Sequence, residues 1–423
     1  MGNLELRLKL RLDWWPVGQG LFASGFLTQE DGRSFTWIYD CGTSSSDALI
    51  RQALLHHAAD RRFLGNARID LAVLSHFDHD HISGFMRLVS QSPIQTLLLP
   101  YIPLWKRLII AIEQRIAVTD PVFQFFVDPA GFLFGIDGSD IREIIFVPPA
   151  SLDDPGSVGG DDPLPDPPES ASSAKELLRQ VEWGEAPEEY RNDVRSLTVN
   201  TRVAFLAPRG RIFLPFWEFL PYNDAQLTPK ATPGFLNDVA PLVAAIVDPA
   251  TRRSSQLSSI KRLYNQHFGK SSKLRNQISL FLYSGPLGNL GMEEGSPFDA
   301  YHLSDRFSQM MTGDGLLDTG PRLDAFLRYY RSGSRLARSG IFQVMHHGAR
   351  SSSRSGLADA IMPVVSIFSS DPADRRYGHP HSEVLRDFWT YGPRQVDTVR
   401  GLRLELRLFL HTTAISRQRA LSV

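Results

Sequence analysis

The segment Ser75-His76-Phe77-Asp78-His79-Asp80-His81-Ile82-Ser83-Gly84 places three histidines and two aspartates within six residues. Imidazole and carboxylate groups cannot be buried at this density without partners. They are also the donors that suit zinc, manganese or iron. On a loop leaving a strand, residues two apart can converge on one ion, and the following pair can turn towards a second. The chemistry expected of such a cluster is hydrolysis by a metal-activated water, because a bound metal ion lowers the pKa of water to about 7. The competing reading is a solvated polar loop that happens to be rich in histidine.

The elements around the cluster read as α/β. Asp70-Leu71-Ala72-Val73-Leu74-Ser75 is a compact apolar strand that runs straight into it. Leu4, Leu6, Leu8, Leu10 and Leu12 alternate with polar residues, and Leu402, Leu404, Leu406, Leu408 and Leu410 repeat the pattern near the other end. A period of two predicts half-buried strands, and two such strands suggest that both ends of the chain lie in one sheet system. Trp37 to Tyr39 and Ile94 to Leu99 read as strands, Phe85 to Ser90 and Trp105 to Ile116 as helices. Val203 to Pro221 reads as a β-hairpin turning at Arg209-Gly210, and Ile278 to Tyr283 as a further strand. Strands and helices in this order fit helices outside two facing sheets.

The chain has 423 residues, with 42% hydrophobic and 22% charged, the profile of a folded globular protein. The length fits one large decorated domain or two modest ones. The net charge of −1 supplies no global field for nucleic acid or an anionic membrane, so a polyanion site must be a local patch. The single cysteine, Cys41, excludes an internal disulfide framework and favours a reducing, cytoplasmic setting. It reads as a small buried apolar group rather than a reactive thiol. No apolar run approaches the roughly 18–20 residues that span a bilayer, and Met1 to Trp15 lacks the apolar core of a signal peptide. Residues 148–198 begin with a stretch dominated by Pro, Gly, Asp and Ser, which reads as an acidic linker or insertion. It separates an N-terminal half, 1–147, from a C-terminal half, 199–423, that includes a basic helical insertion near 237–273. The stretch from Thr251 to Gln277 carries Arg252, Arg253, Lys261, Arg262, Lys270, Lys273 and Arg275, with Tyr264 and Phe268 and no acidic residue. It reads either as a nucleic-acid-tracking face or as a solvated helix face.

The cluster resembles the metallo-β-lactamase superfamily of hydrolases. The family's usual motif is His-x-His-x-Asp-His; His76, Asp78, Asp80 and His81 match the variant His-x-Asp-x-Asp-His. In this form the chain looks most like the metallo-hydrolase domain of ComEC-type competence proteins that take up DNA. Val17-Gly18-Gln19-Gly20 and Tyr39-Asp40-Cys41-Gly42 match that group's opening strands. Thr312-Gly313-Asp314, Met345-His346-His347-Gly348 and Tyr377-Gly378-His379-Pro380-His381 resemble its later motifs, in the same order. The resemblance implies the αββα sandwich fold, with an inserted linker and helical region, and two divalent metal ions, Zn²⁺ or Mn²⁺. It implies His76 and Asp78 on the first metal, Asp80 and His81 on the second, Asp314 as the bridge and His346 completing the second site, with His347 the alternative ligand. The histidine that many relatives carry between the first cluster and the bridging aspartate has no counterpart here. Asn276 and Ser279 occupy the corresponding stage, while His267 and His302 nearby lack a motif. Asp78 in place of a histidine tilts the donor set towards manganese.

Further residues carry two readings each. His79 is expected to point away from the metals. Asp40 supports a metal-binding histidine or is a turn residue. His379, on a turn fixed by glycine and proline, contacts a substrate oxyanion or protonates a leaving group, or else simply packs. His347, Arg350, Ser351 and Tyr377 are candidate substrate contacts, the Ser/Arg-rich loop being suited to phosphate oxygens. The function expected is a phosphodiesterase or nuclease, with Asp80 as ligand and partner of the attacking water. The resemblance further implies bacterial DNA processing or defence, with protein partners in a defence complex; the lack of a long apolar run predicts no membrane association. The alternatives are an acyl hydrolase of a lactone, thioester or β-lactam, and a metal-bound subunit without catalysis. The membrane channel that accompanies this domain in DNA uptake is not expected in this chain.

Overall fold

The computed structural model describes residues 7–150, 177, 179–187, 190, 202–227, 230–269, 278–287, 290–293, 303 and 305–410. Its strands are β1 (Arg7–Trp14), β2 (Ala23–Gln29), β3 (Ser34–Tyr39), β4 (Ile69–Val73), β5 (Ile94–Pro100), β6 (Ile141–Val147), β7 (Gln180–Val181), β8 (Trp183–Gly184) and β9 (Val203–Leu206). They continue as β10 (Ile212–Leu214), β11 (Trp217–Asn223), β12 (Leu280–Pro286), β13 (Leu290–Met292), β14 (Ser308–Met311), β15 (Ser339–Gln343), β16 (Val365–Ser369), β17 (Pro393–Val396) and β18 (Leu402–Leu410). One sheet has the order β13-β18-β1-β2-β3-β4-β5-β6-β9-β8, the other β17-β16-β15-β14-β12-β11-β10-β7.

Leucine alternation explains the first pairing. β1 and β18 are antiparallel, with Leu8 opposite Leu408, Leu10 opposite Leu406 and Leu12 opposite Leu404. Successive side chains point to opposite faces, so all six leucines enter the core between the sheets while Arg7, Lys9, Arg403, Glu405 and Arg407 stay exposed. The two leucine strands are thus direct neighbours in one sheet.

The inner strands are buried on both faces, as parallel strands between helical layers must be. Every residue of β4 is buried: Leu71 and Val73 face the core shared with Trp217, Phe219 and Leu282, whereas Ile69 and Ala72 pack under the helices. On the second sheet Leu280 and Leu282 face inward, and Phe281 and Tyr283 pack outward against the helix Gly320–Arg331 through Phe326 and Tyr330. The layers are therefore helix, sheet, sheet, helix. No helix among the described residues is long and apolar enough to cross a membrane.

Two expected elements take a different form. The stretch 203–221 is not a single hairpin. Arg209, at φ 58°, and Gly210 do make a turn, but it passes the chain from β9 in the first sheet to β10 in the second; the hairpin is β10–β11, with Ile212 opposite Phe219. The basic stretch is two helices, Pro233–Val247 and Ser254–Phe268. Tyr264 is 1% exposed, and Phe268 stacks on Trp105 at 5.9 Å, so both aromatics are committed to the core. Lys261 pairs with Glu113 at 3.0 Å, and Arg252 donates to the Ile246 carbonyl. Lys270, Lys273 and Arg275, and the acidic stretch within 148–198 up to residue 176, lie outside the described residues.

Most loops that matter here leave the carboxyl ends of parallel strands: β3 and β4 in the first sheet, β14, β15 and β16 in the second. Leu10→Ala should cost about 2–5 kcal/mol by urea unfolding, whereas Lys9→Ala should stay within about 0.5 kcal/mol of the parent. Equal losses would contradict the alternation of β1.

Candidate metal centre

Asp40 anchors the centre from beneath. It follows β3 at φ 56° and is fully buried. Its Oδ1 accepts the Ser75 N–H at 2.7 Å; its Oδ2 accepts the Ser75 hydroxyl at 2.7 Å and faces His81 Nδ1 at 2.7 Å. With both carboxylate oxygens accepting, His81 Nδ1 carries a hydrogen, which turns Nε2 towards the cluster. Ser75 has one hydroxyl hydrogen, given to Asp40, so its oxygen accepts from His76 Nδ1 at 2.8 Å. His347 Nδ1 donates to the Ser369 carbonyl at 2.6 Å. All three rings therefore direct Nδ1–H outward and Nε2 inward, the arrangement that holds metal-ligating histidines.

The inward atoms converge on Asp314. Its Oδ1 lies 3.1 Å from His81 Nε2 and 3.7 Å from His347 Nε2, and His347 Nε2 is 3.0 Å from Asp80 Oδ2. Its Oδ2 lies 3.7 Å from His76 Nε2 and 3.4 Å from His346 Nε2, with His76 Nε2 3.9 Å from Asp78 Oδ2. One carboxylate thus faces two donor groups. Donor atoms of Asp80, His81, Asp314 and His347 lie within 4.8 Å of one another, as do those of His76, Asp78 and Asp314. Asp40, His76 and His81 are equally close, but the Asp40 oxygens are taken by Ser75 and His81 Nδ1.

These donors fit divalent metal. Bonds of about 2.0–2.2 Å to one ion place neighbouring donors about 3–4 Å apart, the spacing seen here. His76 Nε2, His81 Nε2 and Asp314 Oδ1 are buried and make no hydrogen bond. A buried polar atom left so costs about 1–3 kcal/mol, and a cation held between these atoms satisfies all three.

The electrostatics point the same way. Burial, then the charges of Asp80 and Asp314, push the Asp78 carboxyl up to about 8. Burial opposes ionisation of Asp80 and Asp314 too, but the histidines outweigh it: the His347 hydrogen bond and His81 hold Asp80 below the ordinary carboxylate range, and His346, His81 and His347 hold Asp314 well below it. Burial disfavours charge on His81, yet Asp314 and Asp40 pull it well above the usual imidazole range. Burial and then His81 push His76 down to about 4. Three carboxylates crowded in so small a volume favour a cation.

The turns are built to bring these atoms together. Gly313 is at φ 50°, and a Cβ there would lie 2.4 Å from Ser279 Oγ and 2.7 Å from Ser75 Oγ, so the Asp314 turn can press against the Ser75–His76 strand end only through glycine. Ser279 Oγ accepts the Asp314 N–H at 3.1 Å, and Gln343 Oε1 accepts the N–H groups of Thr312 and Gly313. Gln114, just beyond the helix Leu104–Glu113, donates to Asp78 Oδ1 at 2.6 Å and to the Phe77 carbonyl at 2.9 Å. Neither Gln114 nor Gln343 stands out in the sequence; Ser75 was adjacent to the motif, and Gln19 lay inside one.

The remaining expected residues take these places. His79 is exposed, off the cluster. The His346–His347 pair is arranged differently from the expected order: His347 stands with Asp80 and His81, and His346 reaches the opposite oxygen of Asp314. Strand alternation does not govern this pair, because both residues have left β15 and adopt φ 48° and 56°. His379 is 7% exposed, its ring centroid 5.7 Å from that of His346 and 6.1 Å from that of His347. Tyr377 is 41% exposed with its ring 6.0 Å from His379, and Arg350 and Ser351 are exposed. Ser279 supports the Asp314 backbone. His267 lies on the helix Ser254–Phe268, packed against Phe235. Asn276 and His302 lie outside the described residues, and Cys41 is fully buried.

Asp40→Asn keeps the volume but removes the acceptor set that orients His81 and Ser75. Zinc affinity, measured by competition with a chelator, should fall about 10–100-fold. Parental affinity in this variant would show that Asp40 does not position the ligands.

Residues 23–162 match the family model described as Metallo-beta-lactamase superfamily, a stretch that runs from β2 past β6 and contains the His76–His81 cluster but ends before Asp314. No curated protein matches the chain. The two facing sheets with helices on both outer sides are consistent with the metallo-β-lactamase fold, and the family match together with the His/Asp cluster supports a metal-dependent hydrolase.

Proposed function

We propose that the protein is a two-metal phosphodiesterase that acts on nucleic acid as a nuclease. The observation that carries this reading is Asp314, whose two oxygens face Asp80, His81 and His347 on one side and His76, Asp78 and His346 on the other. In this reading Asp314 would be shared between two ions, with Asp80, His81 and His347 holding one and His76, Asp78 and His346 the other, so that His346 would supply the nitrogen that relatives take from another histidine. Bound divalent ions would polarise a phosphoryl oxygen and make water acidic enough to ionise near neutral pH. Three carboxylates among the donors favour manganese relative to an all-histidine site.

The chain's own groups supply the rest. Asp80 orients the attacking water by accepting a hydrogen bond from it through the oxygen that does not face His347. His379 lies at the edge of the cluster, where it donates a hydrogen bond to the substrate. Arg350 and Arg376 stand on exposed loops close in sequence to His347 and His379; Arg350 pairs with Glu383 at 3.5 Å, and Arg376 with Asp374 at 2.5 Å and the Ser44 carbonyl at 3.5 Å. Exposed pairs of this kind contribute little to stability, so either guanidinium can exchange its partner for a phosphate oxygen. A neutral lactone would make no use of them. A place in bacterial DNA processing or defence is supported by the motif resemblance alone.

The full chain, incubated with Mn²⁺ or Zn²⁺, should cleave labelled single- or double-stranded DNA or RNA, or bis-p-nitrophenyl phosphate, and should lose this activity in Asp80→Ala/His81→Ala. Turnover of a lactone panel without phosphodiester cleavage would overturn the reading. Arg350→Ala should raise KM for the nucleic acid with kcat little changed; an unaltered KM would remove Arg350 from the substrate contacts.

A further inference from the structure

The histidines around Asp80 and Asp314 are not held alike. His346 Nδ1 faces the Ser352 hydroxyl at 2.8 Å, a group that can donate or accept. His76, His81 and His347 each have an acceptor at Nδ1: the Ser75 hydroxyl oxygen, the Asp40 carboxylate and the Ser369 carbonyl. His379 has the opposite partner. Its Nδ1 faces the side-chain nitrogen of Gln19 at 3.1 Å.

The orientation of that amide is fixed from its other end. Gln19 Oε1 accepts the Asp371 N–H at 3.4 Å, which leaves the NH₂ group for His379. The residue itself is clamped: its N–H donates to Ser45 Oγ at 2.9 Å, its carbonyl accepts the Ser44 N–H at 2.7 Å, and it is 1% exposed. An amide nitrogen has hydrogens and no lone pair to offer, so the ring nitrogen facing it must be the acceptor. A hydrogen on Nδ1 would set donor against donor. The hydrogen of the neutral ring therefore sits on Nε2, which makes no hydrogen bond among the described residues.

We infer that Gln19 holds His379 as the Nε2–H tautomer, which makes it a neutral hydrogen-bond donor for an anionic substrate oxygen at the edge of the metal cluster and bars its Nε2 from ligating metal. The substrate half of this inference rests on the phosphodiesterase reading; the tautomer does not. Gln19 is a positioning residue: it touches neither metal donors nor substrate and acts through His379. The same wiring separates the roles within the cluster. An acceptor behind a ring bares Nε2 for a cation, and a donor behind a ring leaves a hydrogen there.

The test is a long-range ¹H–¹⁵N correlation spectrum of the full chain, labelled with ¹⁵N-histidine and loaded with Zn²⁺, with the His379 signals identified by their loss in His379→Gln. The expected result is a protonated Nε2 and a bare Nδ1 for His379. Gln19→Glu, nearly identical in size, replaces the donor by an acceptor and should move the hydrogen to Nδ1. The same variant should lower kcat on a phosphodiester by about 10²–10³-fold, the scale of losing one oxyanion donor. A hydrogen on Nδ1 in the parent protein, or a spectrum of His379 unchanged in Gln19→Glu, overturns the inference. The parent spectrum decides even where the variant fails to fold. The expected tautomer found in a protein inactive on every phosphodiester would sink the phosphodiesterase reading and leave the role of Gln19 standing.

Discussion

The carboxylate of Asp314 is the point at which the two sheets meet chemically. It stands on the turn after β14 of one sheet, while His76, Asp78, Asp80 and His81 stand on the loop after β4 of the other. Neither loop alone makes a centre. Their donors come within 4.8 Å of one another only because the sheets face across a packed core and carry their parallel strands to a common end. The fold's main requirement is therefore register between sheets. Gly313 shows how tight that requirement is, since even a methyl group there would strike Ser279 and Ser75.

Around this point lies a shell of acceptors that fixes ring orientation before any ligand arrives. Asp40 is its centre, serving Ser75 and His81 at once, and through Ser75 also His76. Such an arrangement concentrates unfavourable terms: buried carboxylates near one another, and Nε2 atoms with no hydrogen-bond partner. Protein interiors avoid such groups unless something offsets them. A bound cation would offset them here, so the features that weaken the site as a piece of core are the ones that suit it to hold metal.

How much of this was legible in the sequence follows from the range of each signal. The density of donors from His76 to His81 is local, and so is the leucine alternation of β1 and β18; the alternation placed both strands in one sheet system, and their direct pairing is a finding of the structure. Asp40 was half legible, as its motif marked it without choosing between turn and support. His347 was harder, because alternation holds only while the chain stays extended, and residues 346 and 347 adopt left-handed conformations. Gln114 sits 36 positions from the aspartate it binds, and no local pattern encodes that contact. The turn at Arg209-Gly210 was visible, but a turn signal does not say which sheet receives the chain. Tyr264 and Phe268 were ambiguous for a related reason: aromatic residues beside basic ones mark either a stacking face or an amphipathic helix, and only Trp105, distant in sequence, decides it.

If Asp314 joins two metal sites into one centre, the full chain titrated with Mn²⁺ should bind two ions and give the electron paramagnetic resonance spectrum of an exchange-coupled pair, and Asp314→Asn should abolish the coupling. A spectrum of isolated Mn²⁺ at full occupancy, or coupling that survives in Asp314→Asn, would show that Asp314 does not join two sites.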